Sequence, residues 1–142
     1  VNARRTSPVV VFDNEAVQAI RSPAHPKHRR VLAVVEAMLV RSRGTGAVPL
    51  VPTAVRVEAG WDRRDVQAAV LNRLRVKDHP LDASAANEAA AIRAALDISV
   101  ADAHLGAAMS ALGAPHVVVT SDVADVRRLA EHLMTQTTVV RL

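Results

Sequence analysis

The chain has 142 residues, a formal net charge of +4, no cysteine and only two carbocyclic aromatic residues, Phe12 and Trp61. That length holds one domain with a real hydrophobic core and is short for two. The missing cysteines exclude disulfides, thiolate metal sites and cysteine nucleophiles, so any metal must be held by oxygen or imidazole.

Half of the residues are apolar, and with so few rings the core must be built from Val, Leu, Ile and Ala. No stretch approaches the roughly 18 uninterrupted apolar residues of a membrane span, and the opening VNARRTSP lacks the apolar region of a signal peptide. A soluble, cytoplasmic protein with no membrane association is expected. The sequence pI of about 10.9 favours a polyanionic partner through electrostatic steering. All 18 basic residues except Lys27 and Lys77 are Arg, which in an Ala- and Val-rich chain is equally the mark of codon bias.

In chain order, PVVVF at residues 8–12 is a short continuous apolar run, the pattern of a strand buried on both faces. Helical spacing follows in Ala16, Val17 and Ile20. After the break RSPAHP, an amphipathic helix is expected over about Lys27 to Arg43, with Val31, Leu32, Val34, Val35, Met38 and Leu39 inside and RGTG closing it. Ala47 to Val51 reads as a second strand, leading through Pro52 and Thr53 into a helix that carries Glu58 and Trp61.

Asp62 is placed to cap the next helix, through about Leu74, and Arg75 to Asp78 reads as a short third strand. Helices follow over Asp82 to Leu96 and from Ser99, the latter with Val100, Leu105, Met109 and Leu112 inside and Gly113 at its end. HVVV at 116–119 is a fourth strand passing through TSD into a helix ending near Met134. TTVVRL supplies a last edge strand. Strands alternating with helices, with no repeat or linker, predict one α/β domain around a mostly parallel sheet, with its core over about residues 8–142.

The acids carry the chemistry. In an open parallel sheet, ligands bind beyond the carboxyl ends of the strands, where strand order reverses. Asp13 leaves such an end directly, and Asp122 leaves another after Thr120 and Ser121. Asp102, at the fourth position of S-V-A-D, lies on the stripe of Leu105 and Met109. Glu58 shares a face with Ala54, Val55 and Trp61. Neither of these two acids is expected to point simply into water.

Each placement also has a structural reading. Asp13 suits an N-cap, Ser99 with Asp102 a capping box, and Asp122 with Asp125 the positive end of a helix dipole. Collected at one sheet edge, four or five carboxylates repel and raise each other's pKa unless a cation neutralises them. Mg²⁺ or Mn²⁺ suits an all-oxygen set that keeps several waters and bridges substrate phosphates. Beside a phosphodiester, such an ion activates water and stabilises the leaving oxygen, so metal-dependent nuclease chemistry is expected.

Taken in order, VVVFDNEA, VPTAVRVEAGW, SVADAHLGAAM and VVVTSDVADV resemble the four acidic motifs of PIN-domain ribonucleases, especially the VapC-type toxins of bacterial toxin–antitoxin pairs. The resemblance spans about residues 8–129. It implies a PIN-like fold in which Asp13, Asp102 and Asp122 bind the principal Mg²⁺ or Mn²⁺, Glu58 completes the acidic pocket directly or through water, and Asp125 supports a second ion. Thr120 and Ser121 match hydroxyl positions that orient a ligand or water, with Asn14 as an outer hydrogen-bond partner. It further implies RNA as substrate, products ending in a 5′-phosphate and a 3′-hydroxyl, a cognate antitoxin that blocks the cleft, and a homodimer built from helices. Glu15 departs from the pattern, standing where a small hydroxyl residue is common; it is read as a solvent-facing residue at the helix start, or as an added metal contact.

Basic pairs recur along the chain, and Arg63 with Arg64, just past the Glu58 helix, are the first choice for RNA phosphates flanking the pocket. The scarcity of aromatics argues against base stacking as the main grip. His25 and His28 lack the partners of a zinc site, and His104, two residues past Asp102, is given a surface or packing role. No phosphate-binding glycine loop or nucleophile elbow is present. The competing reading is a non-catalytic PIN-like module for RNA binding or complex assembly. A receiver-like phosphorylation switch lacks a convincing acceptor, because Asp78 sits in a weak segment before His79 and Pro80.

Overall fold

The structure is a computed structural model that describes residues 9–41, 48–112 and 116–142. Its strands are β1 (Val9–Phe12), β2 (Val48–Pro52), β3 (Lys77–His79), β4 (His116–Thr120) and β5 (Thr137–Arg141). Its helices are α1 (Asn14–Arg21), α2 (His28–Arg41), α3 (Thr53–Ala59), α4 (Ala69–Arg73), α5 (Ala83–Leu96), α6 (Val100–Ala111) and α7 (Val123–Leu133), with a 3₁₀ turn at Val66–Ala68 before α4.

The five strands form one sheet in the order β3-β2-β1-β4-β5, and every pairing is parallel. β1 lies at the centre, bonded to β2 on one side and to β4 on the other. Alternation along it feeds two cores: Val10 and Phe12 face one, Val11 the other. Each of these side chains is almost wholly buried, worth roughly 1.5–3 kcal/mol apiece. The first core is completed by Ala16, Val17 and Ile20 of α1, Val31 and Val35 of α2, Val55 of α3 and Leu71 of α4. The second holds Ile92 of α5, Leu105 and Met109 of α6, and Leu129 of α7.

Since β1, β2 and β3 run outward in one direction and β4 and β5 in the other, strand order reverses between β1 and β4. That is where a ligand crevice belongs in such a sheet. α6 is buried almost all round from Ala101 to Met109, and Gly106 lets its neighbours approach. A methyl group there would sit 3.1 Å from both Ile92 Cδ1 and Leu129 Cδ2.

Several boundaries differ from the sequence reading. α3 stops at Ala59 because Gly60 takes a left-handed conformation, φ 69°, so Trp61 follows the helix. Asp62 does not cap the next helical segment; Asp65 does, accepting from the Gln67 N–H. β3 begins at Lys77, since Arg75 is turned out at φ 55°. Val100 is half exposed, because the first turn of α6 projects beyond its packed middle. The helix start near Asp82, which serves as N-cap of α5, and the edge position of β5 agree with the expected elements. The side chain of Leu39, the RGTG segment and Gly113 lie outside the described residues. Among the described residues, no helix is long and apolar enough to cross a membrane.

Gly106→Val places branched carbon into the α5–α6–α7 contact and is expected to cost ~1–3 kcal/mol, read as a lower midpoint in urea denaturation with an unchanged slope.

Candidate active site

Asp13 follows β1 and becomes the N-cap of α1: its Oδ1 accepts the Ala16 N–H at 2.8 Å. Its other oxygen, Oδ2, accepts from the Thr120 hydroxyl at the end of β4. That hydroxyl in turn accepts the Asp122 N–H at 2.9 Å. Having accepted from the backbone, Thr120 Oγ1 directs its single proton at Asp13. The fully buried Thr120 therefore welds the two strand ends on either side of the reversal.

Asp122 caps α7 by accepting the Asp125 N–H at 3.2 Å, and Asp102 is brought in by α6, whose Ser99 Oγ accepts the Asp102 N–H at 3.1 Å. The capping reading of these residues thus holds together with their convergence. Asp13, Asp102, Asp122 and Asp125 line one pocket, closed by Thr120, Leu96, Ile98, Leu105, Val126, Leu129 and Arg128. Its volume of about 70 Å³ is several times the ~10–15 Å³ that one water needs.

Electrostatics reflect burial first and the crowding of acids second. Burial pushes the Asp13 carboxyl up to about 6, and the charges of Glu15 and Asp102 push the same way, against the Thr120 and Ala16 hydrogen bonds that favour the anion. Asp125 is also raised, first by its hydrogen bond with Asp122, then by burial and the charges of Asp122 and Asp102, with Arg128 offsetting part. Among the described residues no group of three or more His, Asp or Glu side chains is drawn tightly enough to ring an ion. A hard divalent cation does not require such a ring, because Mg²⁺ keeps most of its waters and takes one or two protein carboxylates. The donor set, all oxygen and mutually repelling, fits Mg²⁺ or Mn²⁺ and no thiophilic metal.

Other residues singled out in the sequence fall elsewhere. Glu58 is solvent-exposed on α3 and lines a separate hollow with Val57, Leu81 and Val100. The buried face of α3 is that of Val55 and Ala59, so the expectation that Glu58 turns from water is corrected. Glu15 has its carboxyl lowered, chiefly by a hydrogen bond with Ser121 and also by Lys27, whose Nζ stands 3.4 Å away. Neither Glu15 nor Ser121 is among the pocket's lining residues, and Asn14 Oδ1 is taken by Gln18.

Arg63 does not flank the pocket either. It lies over the Trp61 ring at 4.5 Å and donates to Asp78 and to the Val76 carbonyl, while Arg64 folds back on Asp62. Among the described residues, the cation that lines the pocket is Arg128. Its signal was its position three residues after Asp125 on one helix face, obscured by the many other Arg pairs.

His104 has the packing role assigned to it, in a specific form. It is fully buried, and its Nδ1 accepts the Ala54 N–H at 3.2 Å, satisfying an orphan donor at the start of α3, where Pro52 offers no side-chain cap. Nε2 then carries the ring proton toward His79 Nδ1 at 3.3 Å. Burial, first, and the neighbouring His79 lower its pKa.

This architecture is a PIN-like α/β fold, with an all-parallel sheet and an acidic pocket at its switch point. Among solved structures, the chain is similar to one chain of the VapBC2 complex from Rickettsia felis, crystallised with a DNA fragment from its promoter; the TM-score is 0.57 at 10% identity, over 94% of this chain and 98% of that one. No family profile matches the chain, and no curated protein is detectably similar in sequence.

Two outcomes follow from the electrostatics. Because the Asp13 carboxyl is raised above its unfolded value, the folded state holds the extra proton, and metal-free protein should lose stability as pH rises from about 4 to about 6. The loss is up to roughly 2–3 kcal/mol. Asp13→Asn should flatten that slope in pH-dependent urea melts, and Mg²⁺ should restore the stability lost by wild type. Thr120→Val strands the Asp122 N–H and removes the donor to Asp13; a loss of ~1–3 kcal/mol and a further rise in the Asp13 pKa, followed by carboxyl NMR, are expected.

Proposed function

We propose that the chain is a Mg²⁺- or Mn²⁺-dependent endoribonuclease acting in the cytoplasm, the toxin of a toxin–antitoxin pair. The observation that carries this reading is the collection of Asp13, Asp102, Asp122 and Asp125 around one pocket at the strand-order reversal. Their mutual repulsion calls for a cation. The resemblance of the four motifs to VapC-type toxins and the fold shared with the VapBC2 chain support the same assignment.

Asp13, Asp102 and Asp122 would hold the principal ion, with Asp125 toward a second. A bound divalent cation supplies charge neutralisation and a water acidic enough to attack phosphorus. The chain's own part is positional. Thr120 fixes the Asp13 carboxylate by hydrogen bond and favours its anion, against the larger opposing effect of burial. The α6 and α7 caps hold Asp102 and Asp122 on rigid helix starts. Leu96, Ile98 and Leu129 wall the pocket and limit bulk water around it. Glu58, exposed and lining a separate hollow, would enter this scheme only through bridging water.

Partners under this reading are an RNA strand, an antitoxin whose segment covers the pocket, and a second copy of the chain. The test is cleavage of single-stranded RNA by purified protein with and without Mg²⁺ or Mn²⁺. Asp13→Asn and Asp102→Asn should each lower the rate by about 100-fold or more, beyond the 10–100-fold typical of an outer-shell partner; Glu58→Gln should cost much less. Equal residual cleavage by wild type and both Asp variants would identify a contaminant and turn the assignment to a non-catalytic RNA-binding module.

A further inference from the structure

The pocket is lined by four carboxylates and one described cation, Arg128. We propose that Arg128 grips a phosphate of the RNA strand at the mouth of this pocket. The proposal rests on the nuclease reading for its substrate class and on the local geometry for the residue.

Three observations single out Arg128. First, the ion pairs of the described residues engage Lys27, Arg56, Arg63 and Arg64; Arg128 is in none of them, although Asp125 stands one turn earlier on the same helix. Second, its Nη2 donates to the Leu96 carbonyl at 2.7 Å. Leu96 is the last residue of α5, where carbonyls lack helical partners. A neutral carbonyl fixes the guanidinium without cancelling its charge, and the rest of its donor fork has no described partner. Third, the pocket's volume of about 70 Å³ accommodates an ion and waters but no nucleotide. The strand must therefore lie across the mouth, where the exposed Arg128 stands.

The physical need is plain. A phosphodiester nearing four carboxylates is repelled, and a cation bound deep among them neutralises charge at the reacting oxygens more than along the neighbouring backbone. A tethered guanidinium presents directed N–H groups to phosphate oxygens, a geometry that favours Arg over Lys. A purely mechanical role is the rival account: Arg128 bonds the carbonyl of Leu96 at the end of α5 and Arg93 that of Ile98 in the α5–α6 link, so that both hold that wall.

The experiment is fluorescence anisotropy of a short fluorescein-labelled single-stranded RNA with the full chain, in Ca²⁺ and over a range of salt, beside cleavage kinetics in Mg²⁺ and Mn²⁺. Arg128→Gln should weaken binding about five- to tenfold and lower the slope of log affinity against log salt by about 0.7, the value for one contact to a single strand. Arg128→Lys should restore the slope and only part of the affinity, and Arg93→Gln should leave the slope unchanged. Thermal melts should show a small and similar loss in both variants, since each arginine is exposed and gives up one carbonyl hydrogen bond.

Wild-type affinity and slope in Arg128→Gln would overturn the proposal, as would equal weakening by Arg93→Gln with no change of slope in either, or no RNA binding by wild type. Weaker binding by Arg128→Gln in a protein that does not cut RNA would leave the contact standing and remove the nuclease reading. Cutting by wild type, with Arg128→Gln unaltered in both assays, would do the reverse.

Discussion

The arrangement depends on one hydrogen-bond relay, from the Asp122 N–H to Thr120 Oγ1 and from the Thr120 hydroxyl to Asp13. It crosses the gap between β1 and β4, the point where the sheet reverses its strand order. Without it, the carboxylate after β1 would sit buried near other acids with only the Ala16 N–H to hold its charge. With it, two segments separated by more than a hundred residues deliver Asp13 and Asp122 to one place. The fold's central strand pair and its acidic pocket are therefore one construction.

The relay explains why capping and convergence need not compete as descriptions of these acids. A helix N-terminus offers unsatisfied N–H groups and a positive dipole end, which tolerate a carboxylate where burial would otherwise expel it. Asp13 and Asp122 use that provision for α1 and α7, and Asp102 sits in the first turn of α6. Three helix starts pointed at one pocket let acids gather there at a bearable cost. Burial above all leaves the Asp13 carboxyl raised, and the hydrogen bond with Asp122 does most to raise Asp125; a cation held as proposed would offset both. Arg128 offsets part of the shift at Asp125.

Much of this was legible in the sequence for simple reasons. Apolar runs such as VVVF and HVVV can be read as strands because central parallel strands are buried on both faces, and an acid placed straight after such a run must emerge at the strand's carboxyl end. Asp13, Asp102 and Asp122 follow from that rule and from helix periodicity, and Asp125 from the resemblance of VVVTSDVADV to the fourth acidic motif. Glu58 did not, because periodicity alone cannot tell which flank of a seven-residue helix is covered; Val55 and Ala59 turned inward and left Glu58 in solvent. Arg63 was misjudged for a different reason. Its partners Val76 and Asp78 meet it only once the segment of β3 is laid beside β2, a tertiary event that no local pattern reports. His104 capping a distant helix and Arg128 reaching the end of α5 are likewise tertiary facts.

Anomalous diffraction from crystals grown with Mn²⁺ would test the central claim most directly. The account requires a manganese peak inside the pocket bounded by Asp13, Asp102 and Asp122, with carboxylate oxygens in its coordination shell. A pocket without manganese at saturating concentration, or a peak bound only elsewhere, such as at the His79–His104 pair, would contradict it.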